Sequence, residues 1–254
     1  MPVTYKLRPV LLAFALGIVP IFSVGIASAQ LNTVSAHIEM KKAAASGTEK
    51  KAVAPASLVE VVVWLRPLDR ASAEPAAAEQ ARKRIQLVQK NKSFQPHLLV
   101  VAVGSSVEFP NRDPFFHNVF SLFDGKRFDL GLYEAGASNS VRFDRVGVSF
   151  LFCNIHPEMS AVVVAVDTPF YGTSDHMGNI AIPNVPDGKY EMHVWYERSL
   201  PEDLKPLTRI VAVSPASRDL GTISLSENSS LATGHKNKYG QDYTPPPTSG
   251  YSHP

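Results

Sequence analysis

The sequence predicts an all-β protein made of two β-sandwiches, a larger one followed by a smaller one. Short runs of β-branched and aromatic residues recur from residue 84 to residue 225, and turn residues separate them. No helical period lies between these runs, which is typical of a sandwich or a barrel. A second series of alternating runs begins after Asp167, so we expect a domain boundary there.

The first sandwich is predicted over residues 57–167, a length sufficient for one hydrophobic core. Its opening strand is the β-branched run at 59–65, and the Ala-rich and charged residues 69–83 are predicted to form a surface insertion. The later strands of this sandwich are predicted at residues 85–88, 97–103, 106–109, 117–121, 140–143, 148–152 and 161–166.

The second, smaller sandwich is predicted over residues 168–226. A Pro186-Asp187-Gly188 turn separates one strand from the cleanly alternating run at 190–196. Further alternation at 208–213 and 221–225 predicts its last two strands.

Both ends of the chain differ in composition from the middle. Residues 1–29 have two basic residues, an apolar stretch and a small-x-small pattern, which predict a signal peptide cleaved before Gln30. An uncleaved membrane anchor is the alternative, but the apolar stretch is short for a span and Pro20 interrupts it. We therefore expect a periplasmic or secreted protein. Residues 30–56 are predicted to be a disordered leader, and residues 227–254 a disordered tail.

Charge and cysteine content narrow the functional classes. Loss of the signal peptide removes Lys6 and Arg8 and takes the formal net charge from +2 to zero. Such a chain gives no indication of a nucleic-acid partner or of an electrostatic membrane contact. Its single cysteine cannot form an internal disulfide, so in an oxidising compartment we expect the thiol to be buried or bound to a metal.

That cysteine lies in a run of soft metal ligands. Cys153, His156 and Met159 supply a thiolate, an imidazole and a thioether within seven residues. A blue-copper site needs one more imidazole, and His117, at the start of a predicted strand, is the candidate. Alternation in the strand before Cys153 places its sulfur on the same face as the core residue Leu151.

Several other interpretations fit these residues less well. Cys153 alone could be a small buried hydrophobic residue, but the nearby candidate ligands His117, His156 and Met159 disfavour this interpretation. A Cys and a His three apart on one tight loop are a poor basis for nucleophilic catalysis, which needs an oriented base and an oxyanion hole. The sequence contains no His-x-His pair for the additional copper centres of multicopper oxidases, and five methionines are few for a copper store. We therefore expect a protein that is not an enzyme.

Four spaced motifs together resemble the blue-copper cupredoxin family, in particular its amicyanin- and plastocyanin-like members. The resemblance covers about residues 84–167, and the motifs are Phe94-x-Pro96, Gly104-x-x-Val107-x-Phe109-x-Asn111-x-Asp113, His117-Asn118-Val119 and Cys153-x-x-His156-x-x-Met159. It implies a Greek-key sandwich that holds one type 1 copper ion. By this resemblance His117, Cys153 and His156 would be equatorial ligands and Met159 the axial one.

The same resemblance implies transfer of single electrons between redox proteins, such as a c-type cytochrome or a dehydrogenase. A periplasmic copper-binding module, or a protein- or carbohydrate-binding module without redox turnover, is the alternative. Colour separates the two, because thiolate-bound Cu(II) is intensely blue or green.

The second sandwich is similar to the carboxypeptidase-regulatory-like, transthyretin-type fold. The similarity rests on Gly178-x-Ile180-x-Ile182-x-x-Val185-Pro186-x-Gly188-x-Tyr190. This motif is a folding signature and carries no chemistry, so it does not imply a peptidase.

Overall fold

The computed structural model describes Met1 and residues 31–41, 60–69, 84–122, 125–228 and 235–243. In these ranges the regular structure consists of seventeen strands, one short helix and one 3-10 turn, which confirms the predicted all-β class. The predicted signal peptide beyond Met1, most of the predicted leader, insertion residues 70–83 and tail residues 229–234 and 244–254 lie outside the described residues. Among the described residues, no helix has the length and apolar character needed to cross a membrane.

The strands are numbered in chain order. They are β1 (Leu31–Met40), β2 (Val62–Pro67), β3 (Ile85–Gln86), β4 (Val88–Gln89), β5 (Phe94–Gln95), β6 (Leu98–Ala102), β7 (Ser106–Pro110), β8 (His117–Ser121), β9 (Phe128–Tyr133), β10 (Ser138–Arg142), β11 (Gly147–Phe152), β12 (Ser160–Val166), β13 (Tyr171–Thr173), β14 (Asn179–Pro186), β15 (Gly188–Trp195), β16 (Arg209–Val213) and β17 (Asp219–Leu225). Helix α1 (Pro201–Leu204) and the 3-10 turn Lys205–Leu207 lie between β15 and β16.

The sheets stack as four layers with three apolar interfaces between them. In order, the layers have the strand orders β14-β1-β17, β13-β2-β15-β16, β6-β12-β11-β8-β9 and β10-β7-β3, and β4 pairs separately with β5. The first two layers enclose one core, and the last two enclose another. A third apolar cluster, which includes Val62, Val162 and Val166, lies between the two middle sheets.

Strand β12 shows how the sequence produces this stacking. Ala161, Val163 and Ala165 face the core of the larger sandwich, whereas the alternate valines face the cluster between the sandwiches. Both faces of the strand are buried, so it is continuously apolar rather than alternating with polar residues. The two sandwiches therefore meet over an apolar surface.

The N-terminal leader prediction is wrong for residues 31–40. These residues form β1, the central strand of the outer sheet of the smaller sandwich, paired with β14 on one side and β17 on the other. Val34, Ala36 and Ile38 alternate into its core. The Ala, Ser and Thr content of the region hid this alternation, although period two is the physical signal of a half-buried strand.

The predicted start of the first sandwich at residue 57 is also wrong. Strand β2 pairs with β13 and β15, which belong to the smaller sandwich, so the described part of the larger one begins near residue 84. The β-branched run was correctly predicted as a strand, but its sequence position beside the larger sandwich gave no information about its partners. Its apolar residues are buried on both faces, with Val63 and Leu65 facing the smaller core.

A polar bridge joins the two sandwiches at His97. Its Nε2 lies 2.8 Å from Glu197 Oε2, and its Nδ1 lies 3.1 Å from the carbonyl oxygen of Ser160. Both partners can only accept hydrogen bonds, so the ring makes both bonds when it carries two protons. The hydrogen bond to Glu197 is the main cause that raises the pKa of His97, against the opposing effect of burial.

We expect Glu197→Gln to lower the pKa of His97 towards its ordinary value of about 6.5. Because the folded-state pKa is raised, the bridge stabilises the fold fully below the unfolded-state pKa and loses this contribution as the pH rises through the folded-state pKa. NMR titration of the His97 ring measures the change, and Glu202→Gln on α1 serves as the control. An unaltered titration in the Glu197 variant would show that Glu197 does not hydrogen-bond to His97 in solution.

Candidate metal centre

Three predicted ligands converge at one end of the larger sandwich. His117 begins β8, Cys153 directly follows β11, and β8 and β11 are adjacent through the pair Phe120 and Phe152. The loop after Cys153 then brings His156 to the same place. The two imidazole Nδ1 atoms are 3.1 Å apart, and Cys153 Sγ lies 3.5 Å from His156 Nδ1 and 3.9 Å from His117 Nδ1.

These separations fit a single bound metal ion. A divalent ion of copper or zinc size binds nitrogen at about 2.1 Å and sulfur at about 2.3 Å, so its ligand atoms lie at most about 4.2 to 4.4 Å apart. All three observed distances are shorter than these limits. One thiolate with two imidazoles is a donor set that suits copper, provided that a weak fourth ligand is near.

His117 is held in the orientation that a metal ligand requires. Its ring is completely buried, and its Nε2 lies 2.8 Å from Asp113 Oδ2. The carboxylate accepts the Nε2 proton, which leaves the Nδ1 lone pair facing Cys153 and His156. In the sequence Asp113 is visible only as part of a motif, and nothing local predicts its hydrogen bond to His117.

The environment of the Asp113 carboxylate favours its ionised form. Burial opposes ionisation, but hydrogen bonds from Lys92 N–H, the His117 ring and Asn91 N–H outweigh it and lower the pKa of Asp113. The two backbone donors lie 2.9 and 2.6 Å from the carboxylate oxygens. Both donor residues have positive φ, and this turn aims consecutive N–H groups at one carboxylate.

Cys153 has no exposed surface and its sulfur faces several backbone donors. Burial raises the pKa of the Cys153 thiol, while the N–H groups of Asn118, Ile155 and His156 act in the opposite direction. A buried thiol of this kind loses its proton when a cation replaces it.

The ligand loop, residues 153–159, is a tight turn closed by its own backbone. Cys153 N–H donates to the Met159 carbonyl at 3.3 Å, and Met159 N–H donates to the His156 carbonyl at 3.2 Å. Met159 is fully buried in the same core cluster as Cys153. The loop thus returns Met159 to the core cluster that contains Cys153, and the role of Met159 as axial ligand stays a prediction.

The solvent-facing side of the centre is formed by His156 and aromatic residues. His156 is half-buried, and its pKa is lowered first by burial and then by the neighbouring His117 ring. The imidazole therefore stays neutral, with one ring nitrogen free of a proton, down to a lower pH. The Phe115 ring lies 5.2 Å from the His117 ring and 5.6 Å from that of His156. Of the two other phenylalanines near His117 in the sequence, Phe120 is buried and Phe116 is 54% exposed.

The predicted disordered tail is wrong for residues 235–243. This segment lies against the ligand loop, with the His235 ring stacked on Phe152 and the Tyr243 hydroxyl 2.6 Å from the Cys153 carbonyl oxygen. The contacts of this segment are mainly hydrogen bonds and ring stacking, which leave no periodic pattern in a sequence. The low apolar content of the tail therefore indicated disorder.

No family model matches the chain, and a search of curated proteins finds no match. Solved structures similar to part of the chain include a purple cupredoxin from Nitrosopumilus maritimus, with 23% identity over 32% of this chain and 99% of that one and a TM-score of 0.30. A reduced tryptophan-to-tyrosine variant of amicyanin has 26% identity over 35% of this chain and 89% of that one, with a TM-score of 0.32.

A copper-containing nitrite reductase from Thermus scotoductus SA-01 is also similar, with 23% identity over 33% of this chain and a TM-score of 0.32. The chain covers only 22% of the length of that enzyme. These similarities are too partial to carry an argument about function, which therefore depends on the residues of the site itself.

Proposed function

We propose that this chain is an exported type 1 copper protein that carries single electrons between redox partners. The observation that carries the proposal is the convergence of His117 Nδ1, Cys153 Sγ and His156 Nδ1 within 3.9 Å of one another. Within the described ranges, this is the single group of at least three His, Cys, Asp or Glu side chains that could hold a metal ion.

In this proposal His117, Cys153 and His156 would hold one copper ion, and Met159 would be a weak fourth ligand. The bound ion supplies one-electron redox chemistry by alternating between Cu(II) and Cu(I). Asp113 fixes the tautomer of His117, and the backbone donors around Cys153 stabilise the thiolate. The protein thus contributes orientation and electrostatics.

Exposure of the ligands favours His156 as the point of electron exchange. His117 and Cys153 are fully buried, whereas His156 is half-buried and its neighbours Ile155 and Phe115 are 42% and 37% exposed. A redox partner that approached this apolar edge would reach the imidazole before any other ligand. A c-type cytochrome or a dehydrogenase would be such a partner, and a periplasmic or secreted location follows from the predicted signal peptide.

Metal analysis and a visible spectrum of the purified, copper-loaded protein test the proposal. We expect one copper per chain, an intense thiolate-to-Cu(II) band, and loss and return of this band on reduction and reoxidation. A colourless protein that binds copper would favour the non-redox binding module instead. Failure to bind copper would overturn the metal assignment altogether.

The axial assignment makes a separate prediction. Met159→Leu should keep the copper and the colour but raise the reduction potential, because removal of a weak donor disfavours Cu(II) more than Cu(I). Methionine and leucine have similar volumes, so we expect a stability loss below about 1.5 kcal/mol despite complete burial. Voltammetry measures the potential.

Met192→Leu is the matched control, since Met192 is equally buried but lies in the smaller sandwich. It should leave the potential where it is in the unaltered protein. A potential that stays constant or falls in the Met159 variant would show that Met159 is not a ligand.

A further inference from the structure

We infer that residues 235–243, which we call the C-terminal strap, hold the ligand loop in place, and that Tyr243 is the positioning residue of this strap. The inference rests on the proposed function, because it concerns the geometry of the proposed copper ligands. It assigns a role to a segment that follows both sandwiches and supplies no ligand itself.

The first contact is the hydrogen bond from Tyr243 to the ligand cysteine. The Tyr243 hydroxyl donates to the Cys153 carbonyl oxygen at 2.6 Å, and His235 Nδ1 lies 3.1 Å from the same hydroxyl. Nδ1 is also 3.2 Å from the Lys236 carbonyl, which can only accept, so this nitrogen carries the proton and donates. The hydroxyl thus accepts from His235 and directs its own proton to Cys153.

The second contact covers the outer face of the strand that leads to the ligand. The His235 ring stacks on Phe152 with centroids 4.1 Å apart and an interplanar angle of 27°. Phe152 immediately precedes Cys153 and points to the opposite side of β11. Strap and core therefore enclose this end of β11 from both faces.

The third contact links the strap to both ligand-bearing segments. Lys238 N–H donates to Asn154 Oδ1 at 3.0 Å, and Lys238 Nζ lies 2.8 Å from Asp129 Oδ2. The other oxygen of Asp129 accepts from Asn118 Nδ2 at 2.7 Å. Asn118 follows His117 and directs its backbone N–H at the Cys153 sulfur.

The strap contains a hydrogen-bonded turn of its own, so it can restrain the ligand loop as an ordered segment. Asn237 Oδ1 accepts the N–H groups of Tyr239 and Gln241, and Gly240 adopts the positive φ that this turn requires. In contrast, the ligand loop is closed internally by two long backbone hydrogen bonds. Ligands are held accurately when neighbouring groups restrain their backbone, so external restraint from the strap should matter here.

The test uses the full chain with Tyr243→Phe, which removes the hydroxyl and keeps the ring. We expect Cu(II) to be lost to EDTA roughly 3- to 10-fold faster, the factor that corresponds to one hydrogen bond. The thiolate-to-copper band and the reduction potential should both shift. In the metal-free protein, amides of residues 153–159 should exchange hydrogen faster than in the unaltered chain.

Tyr239→Phe is the matched control, because Tyr239 lies in the same strap but is 70% exposed. It should change none of these properties. Equal copper loss and equal amide exchange in the Tyr243 variant and the unaltered protein would overturn the strap inference. The exchange measurement needs no metal, so it decides this inference even if the unaltered protein fails to bind copper and the proposed function is wrong.

Discussion

Cys153→Ser is expected to abolish the intense visible band of the copper-loaded protein and to weaken copper binding by more than about 100-fold. Changes to groups that merely support a ligand typically cost 10- to 100-fold in metal affinity, and this variant removes the ligand atom itself. Serine is a hard and poorly ionised donor, whereas the two imidazoles alone lack the thiolate that gives the colour. Optical titration with Cu(II) measures both effects.

The fold should survive this substitution. Serine is close to cysteine in size, and backbone N–H groups already face the position of the sulfur, so the new hydroxyl has donors to bond with. Circular dichroism and thermal unfolding provide the control. A full-strength band in the serine variant would exclude Cys153 as the ligand, while loss of the fold would make His117→Ala and His156→Ala the deciding variants.

The second large effect concerns a truncated chain. Residues 55–168, which contain all four predicted ligands, are expected to aggregate rather than form a stable monomer. Strand β2 would lose its partners β13 and β15 and present free edges. The face formed by Leu98, Val100 and the outward valines of β12 would be exposed to water.

The size of this penalty can be bounded. Exposing a fully buried aliphatic side chain costs about 1.5 to 3 kcal/mol, so several of them together approach the total stability of a domain, about 5 to 15 kcal/mol. Size-exclusion chromatography of the soluble fraction tests the expectation. A chain that ends at residue 228 and keeps both sandwiches is the control, and it should not aggregate. A soluble, blue monomer of residues 55–168 would show that the contact between the sandwiches is dispensable.

The ligand candidates could be predicted because the information is local. Cys153, His156 and Met159 lie in one short loop, and His117 begins a strand whose period is visible in the sequence. Most strands of the larger sandwich were also predicted close to their observed bounds. An exception is β9, where Gly131 with positive φ interrupts the alternation.

The missed features depend on contacts between distant parts of the chain. Strand β1 pairs with strands about 140 to 190 positions later, and nothing local specifies those partners. The strap was missed for the same reason, since Tyr243 reaches a carbonyl 90 positions earlier. The role of Asp113 could not be predicted without the turn at Asn91 and Lys92, because the N–H groups of that turn hydrogen-bond to the Asp113 carboxylate and keep it ionised.

The burial of β12 on both faces has a consequence for the speed of the proposed carrier. This strand starts one residue after Met159, so the end of the ligand loop is continuous with a segment clamped between two sheets. An electron moves readily between proteins only when the atoms around the metal hardly shift between the two oxidation states. The smaller sandwich, which supplies none of the proposed ligands, would then serve as a rigid support that keeps the reorganisation energy of the proposed copper centre low.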